Sequence, residues 1–348
     1  MDERENGSFP IDFVIPWVDG SDPEWAREKD RFSGHEDSSV DNRDSRYRDW
    51  GLLKYWFRGV ERFAPWVNHI FFVTCGHVPE WLNLSAPKLV HVKHSDYIPQ
   101  EYLPTFSSHP IELNLHRIDG LSEHFVYFND DLFLTRPVNP ELYFRGGLPV
   151  YPNEIWPVEP IPADIGMANI YVNDTDVINA NFDPKETLRD RKRWFSMQTY
   201  SKHAVLFNLI FTHYFPDWFI GFRCYHLAAP ILKSTMETVW AIAPEILDET
   251  SRHRFRDSRD VNQYVFRYWQ YASNRFVPVK PKAESIGMYF GLKEDNSLLC
   301  KAVREQQYPQ ICLNDTLFTA TDSVLQHTQE EITEAFESIL PQKSIYEK

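Results

Sequence analysis

No run of eighteen or more apolar residues occurs in this 348-residue chain, so no segment reads as a helix of membrane-spanning length. The first residues, Met1 to Pro10, are polar and acidic, and lack the basic start and apolar stretch of a secretory leader. A soluble, cytoplasmic chain is therefore expected, with peripheral attachment at the inner membrane face left open. Cysteine is scarce. Cys75, Cys224, Cys300 and Cys312 are scattered, without the close pairs that a zinc ribbon or redox motif needs, and read as reduced packing residues. Positive charge is also short: 36 Lys and Arg against 50 Asp and Glu leave a formal charge of −14. That balance argues against nucleic-acid binding through a broad basic face, so a phosphate site has to be built locally from a few cations or a metal. No repeat of fixed period is present.

What is abundant is core material, with hydrophobic residues at 43% and aromatics at 15%. That suits one large domain. Ile11 to Ile15 form a short β-branched run between Pro10 and Pro16 and read as a buried strand, followed by the turn-forming Asp19-Gly20-Ser21-Asp22-Pro23. Residues 24 to 46 read as a helix and then a mobile loop. Leu53, Phe57 and Val60 recur at helical spacing, with Pro65 ending the run. Further strands are expected at residues 70 to 74, 89 to 92 and 124 to 128, and a helix carrying Ile111, Leu115 and Ile118 falls between the last two. Strands alternating with helices predict an α/β, Rossmann-like, mostly parallel sheet with helical additions, whose ligand crevice lies at the carboxyl ends of the strands. Residues 1 to 325 read as a single α/β catalytic domain with an irregular insertion at about 146 to 220. Within that span, residues 194 to 215 read as helical. Val261, Val265 and Tyr268 mark another helix, and a C-terminal helix occupies residues 326 to 348.

Asp130 and Asp131 end the fourth strand inside apolar sequence, Val126-Tyr127-Phe128 before and Leu132-Phe133-Leu134 after. Adjacent carboxylates in such a setting cost stability unless something pairs with them, and hard oxygen ligands are what Mg²⁺ or Mn²⁺ needs to bridge phosphate oxygens. Asn314 and Asp315 repeat this chemistry behind a second apolar run. Asp19 and Asp22 follow the first strand, where nucleotides dock in this class of sheet, although a plain turn has the same composition. Glu112 and His116 are four apart on the expected helix, which by itself describes an ordinary surface ion pair. His226 sits in an apolar stretch that suits a hydrogen-bonded core histidine. Arg252, Arg254, Arg256 and Arg259 read as a solvated charge run or as partners for phosphate oxygens.

The segments carrying these residues resemble the Stealth family of sugar-phosphate transferases. That family includes bacterial capsular polysaccharide phosphotransferases and the catalytic subunit of the lysosomal-enzyme N-acetylglucosamine-1-phosphotransferase. The similar blocks are residues 11 to 22, then Arg46-Tyr47-Arg48-Asp49-Trp50 through Phe63-Ala64-Pro65-Trp66 to Asn129-Asp130-Asp131. They continue with Tyr225 to Pro230, Phe255 to Asn262, and Cys312-Leu313-Asn314-Asp315. The resemblance implies a glycosyltransferase-A-like fold, a nucleotide-sugar donor such as UDP-N-acetylglucosamine, and a glycan or glycolipid acceptor. It also implies transfer of a hexose 1-phosphate with release of UMP. On this reading catalytic roles are expected for His226, Arg256, Asp131 and Glu112, substrate binding for Asp19, Gly20, Asp22, Arg117, Asp260 and Asn262, and metal binding for Asp130, Asp131, Asn314 and Asp315. Either His226 or Asp131 is the base, and self-association into a homo-oligomer is left open. A metal-dependent glycosyltransferase that releases UDP shares almost every local feature, whereas a non-catalytic glycan-binding module using some of the 11 tryptophans has no use for adjacent acids at strand ends.

Overall fold

A computed structural model describes residues 9–33, 47–160 and 165–348. The loop expected up to residue 46 lies outside them from residue 34 onward; the helix before it runs Pro23–Ser33. The four expected strands are present as β1 (Ile11–Pro16), β2 (Ile70–Thr74), β3 (Leu89–Lys93) and β4 (His124–Tyr127). They lie parallel in the order β3-β2-β1-β4, with Phe13 opposite both Ile70 and Val126. Alternate residues serve two cores. Phe13, Ile15, Phe72 and Val126 pack on one face, and Val14, Phe71, Val73 and Phe125 on the other, as expected for a sheet covered by helices on both sides.

Among the described residues seven further strands follow: β5 (Leu132–Leu134), β6 (Phe144–Arg145), β7 (Leu148–Tyr151), β8 (Ala229–Leu232), β9 (Val277–Pro278), β10 (Met288–Gly291) and β11 (Gln310–Asn314). β8 completes the main sheet antiparallel to β4, with Tyr127 opposite Ala229. A second sheet runs β10-β11-β5, its β11 antiparallel to β5 with Cys312 opposite Leu132. The chain thus leaves the main sheet at Tyr127 and enters the second at Leu132. Asn129, Asp130 and Asp131 span the gap. β6, β7 and β9 make a third sheet.

Several expectations need correction. The span 146 to 220 is not irregular: it holds β7 and helices Ile165–Asn181, Arg191–Phe195 and Lys202–Tyr214. The first of these helices escaped notice because its polar residues face neighbouring backbone as well as water. Asn173 donates to Ser258 O and Asp260 O, and Asn179 bonds Phe219, which blurs the helical period. The expected single helix over residues 194 to 215 is two, with Ser201 capping the second. Around Ile111 the helix is short, Ser108–Leu113, and becomes a 3₁₀ turn over Leu115–Arg117. The C-terminal helix runs Asp322–Ile339 and belongs to the main core, where Phe336 stacks on Tyr55 at 5.8 Å. Beyond it the chain returns to helix Leu53–Phe63, where the buried Arg58 pairs with Glu347 at 2.8 Å and with Glu337 at 3.1 Å. No helix among the described residues is long and apolar enough to cross a membrane.

Candidate active site

Two antiparallel joins build the site. Because β8 runs against β4, the residues just before β8 lie beside those just after β4, which brings His226 to Asn129 and Asp131. Because β11 runs against β5, the end of β11 lies beside the start of β5. Leu313 N accordingly donates to Asp131 O at 2.8 Å. The two Asn-Asp sequences, 185 residues apart by their numbers (314 minus 129), therefore open into the same cleft of about 960 Å³. That volume is at the upper end of the range for ligand pockets, about 300–1,000 Å³.

Asp131 is the hinge of the arrangement. Its Oδ2 faces His226 Nε2 at 3.2 Å and accepts from Cys312 Sγ at 3.3 Å, while its Oδ1 is buried without a hydrogen-bond partner among the described residues. Burial alone would raise the carboxyl, yet facing His226 and the hydrogen bonds from His226 and Cys312 hold it below the ordinary range. Burial and the Asp131 charge push the Cys312 thiol well up, so it stays protonated and donates. On the far side of the imidazole, His226 Nδ1 meets the Tyr264 hydroxyl at 3.2 Å. Asp130 is exposed to the cleft. Protein crowding around it pushes its carboxyl up to about 7, with the charges of Asp131 and Asp49 adding to the rise and Arg256 opposing it. Arg256 also bonds Ser108 Oγ at 3.1 Å. Asp315 forms an ion pair with Arg48 at 2.7 Å, and Glu112 accepts from the Gln263 backbone at 3.2 Å.

All four residues assigned catalytic roles line this cleft, as do Asn262 and the four assigned to metal. Five others do not. Asp19 accepts from Ser21, and Asp22 caps helix Pro23–Ser33 by accepting from Glu24 N and Trp25 N, so both do the work of turn and cap. Gly20 is required for packing, since a Cβ there would fall 2.2 Å from Tyr47 O. Arg117 lies over the Trp240 ring at 4.8 Å and bonds Asn114. Asp260 is fully buried between His109 at 2.7 Å and His253 at 2.6 Å.

Asp260 thus braces the structure behind the cleft, outside the residues that line it. Burial works against its charge, but the hydrogen bonds from His109 and His253 hold its carboxyl below the usual range; the same bond to Asp260 holds His253 above its own. The brace weakens as pH falls through the depressed Asp260 value and again as pH rises through the raised His253 value. Asp260→Ala is expected to lower unfolding free energy by about 3–5 kcal/mol, the cost of stripping a buried pair of one partner. Chemical denaturation measures this; unchanged stability with lost ligand affinity would restore the substrate-binding role.

Sequence reasoning missed three cleft residues, Arg48, Asp49 and Tyr264, and the buried Cys312 that donates to Asp131. Arg48 and Asp49 stood only as part of a similar block. Cys312 was read as packing, although strand alternation puts it on the face of Asn314, opposite to Ile311 and Leu313. Tyr264 carried no local signal, because its role comes only from contact with His226.

Fold and site define a class: an α/β enzyme with paired acids and a histidine at the carboxyl end of a parallel sheet. The chain belongs to the Stealth family. It matches that family's conserved region 1 over residues 9–37, conserved region 2 over residues 46–149 and conserved region 3 over residues 225–274. It is 40% identical over 340 residues to the receptor polysaccharide phosphotransferase WefC of Streptococcus oralis, covering 97% of this chain and 99% of the relative. To a capsular polysaccharide phosphotransferase WcwK of Streptococcus pneumoniae it is 39% identical, again over 97% and 99%. An exopolysaccharide phosphotransferase of Lactiplantibacillus plantarum is 34% identical over 99% of this chain and 98% of its own length. The chain is accordingly an enzyme of the phosphotransferase class.

Proposed function

We propose that this enzyme transfers a hexose 1-phosphate, with N-acetylglucosamine 1-phosphate the expected group, from a UDP-sugar to a hydroxyl of a glycan acceptor. The observation that carries the reading is Asp131, one carboxylate oxygen engaged by His226 and the other buried beside Asp130 with no hydrogen-bond partner among the described residues. Two close acids and an orphaned oxygen fit a divalent cation, and Asp130 and Asp131 would hold it, with Asn314 and Asp315 across the cleft. Mg²⁺ or Mn²⁺ bound there would supply positive charge to the donor diphosphate.

The remaining work falls to side chains. Arg256, near Asp130, and Arg48, paired with Asp315, place guanidinium groups where phosphate oxygens would lie. The acceptor oxygen attacks the sugar-linked phosphorus, the bond from that phosphorus to the UMP oxygen breaks, and the acceptor proton passes by way of the Tyr264 hydroxyl to His226 Nδ1, because Nε2 already faces Asp131. Asp131 then faces the imidazolium, orienting the ring and offsetting its charge. The products are UMP and a phosphodiester. Such transfer depends on positioning and electrostatic stabilisation more than on covalent participation.

The nucleotide product tests this reading. Incubation with UDP-N-acetylglucosamine and acceptor is expected to release UMP, with the acceptor gaining the mass of a sugar and a phosphate. Acceptor-dependent release of UDP, with no phosphorus in the product, would replace it with glycosyl transfer at the anomeric carbon.

A further inference from the structure

Behind the segment Arg223 to Leu227, which forms one wall of the active cleft, lies a separate cavity of about 230 Å³. Arg267, on helix Tyr264–Ala272, reaches it with only 6% of the residue exposed. Its Nε donates to Gln263 Oε1 at 2.8 Å, Nη1 to Tyr225 O at 3.3 Å and Nη2 to Leu227 O at 3.0 Å, and its guanidinium lies 4.6 Å from the Tyr264 ring. Every one of these partners is neutral. A buried guanidinium normally has a carboxylate or phosphate beside it, and here two of its five N–H groups remain without a hydrogen-bond acceptor among the described residues.

The mouth of the cavity repeats the same sign of charge. Arg145, Arg223, Lys280 and Lys282 line it, all exposed, and among the described residues only Arg223 makes a salt bridge, to Glu154 at 3.3 Å. Five cations around one small cavity reverse the local field in a chain whose formal charge is −14. Tyr151, Tyr268 and Tyr271 supply aromatic walls. The volume falls below the range of about 300–1,000 Å³ for ligand pockets of drug size, so a second nucleotide sugar does not fit its dimensions.

We propose that this cavity is an anion site, taking a phosphate or carboxylate group with Arg267 at its floor and Lys280 and Lys282 at its mouth. Two sources present that chemistry: an acidic substituent on the glycan acceptor, whose reacting hydroxyl would lie across the shared wall, or a free inorganic anion. The site does not depend on which donor the main cleft binds.

The test uses the full chain and the double variant Lys280→Gln/Lys282→Gln, whose changes are exposed and leave the catalytic cleft intact. Inorganic phosphate is titrated calorimetrically at low salt with and without UMP present. Binding by the unaltered protein that weakens at least about tenfold in the double variant is expected, with a smaller dependence on salt. Equal binding by both proteins, or none by either, overturns the proposal. A second arm assigns the source. With an acidic acceptor, the variant raises KM at unchanged kcat and leaves a neutral acceptor unaffected if the substituent is the ligand; a free anion is the ligand if neither acceptor responds. Because phosphate binding is read directly, failure of the transfer reaction itself would be a separate result.

Discussion

Asp131→Ala is expected to lower turnover by about 10²–10³ or more, the scale on which losing one preorganised electrostatic group acts, while the protein remains folded. The change removes the oxygen that faces His226 and the buried oxygen at which a cation is proposed. Asp130→Ala is expected to act as strongly through the cation alone, without disturbing the imidazole, since no hydrogen bond links Asp130 to His226 among those described. Excess chelator should reproduce the Asp130→Ala result in the unaltered enzyme. Steady-state rates with circular dichroism separate the possibilities. Full turnover in chelator would remove the cation from the mechanism, and loss of the folded state in both variants would make the acids structural.

His226→Ala is expected to reduce kcat by about 10²–10⁴, the contribution of a positioned acid–base group, with little change in the donor dissociation constant. The ring lies between Asp131 and Tyr264 and reaches the cleft, so its removal takes away the proton acceptor without touching the expected phosphate contacts. Arg256→Ala should follow the same pattern because its charge lies beside Asp130, where negative charge would accumulate on the transferring phosphoryl group. Single-turnover kinetics alongside equilibrium donor binding provides the measurement. Parallel losses in rate and affinity would reduce both residues to donor positioning.

The parallel half of the fold was legible because each of its strands is a short apolar run bounded by turn residues, and helix Leu53–Phe63 between the first two shows its period. The antiparallel joins were not. β8 lies in Ala229–Leu232, where Pro230 argues against a strand, and nothing local says that it pairs with β4. β5 has only three residues, too few for alternation to speak. The site inherits this division. Asp130 and Asp131 were readable from one strand end, and Asn314 and Asp315 from another. Their convergence with His226 depends on non-local pairings that no sequence window contains. Asp19, Asp22 and Asp260 fall outside the cleft lining, where turns, caps and buried braces use the same carboxylates as ligand sites. For Asp22 the discriminating signal was present: Asp-Pro-Glu is a helix start by composition, and the residue behaves as one.

The pairing of Arg58 with Glu347 also bears on how the protein is made. These residues are 289 positions apart, so at translation rates of about 5–20 residues per second, roughly 15–60 s pass between their syntheses. During that interval helix Leu53–Phe63 has neither Glu347 nor Glu337 for its arginine, nor helix Asp322–Ile339 to cover its apolar side. The side of helix Leu53–Phe63 that carries Tyr55 therefore gains its Phe336 cover long after the main sheet's own strands have been made, so this part of the core closes late relative to the sheet beneath it.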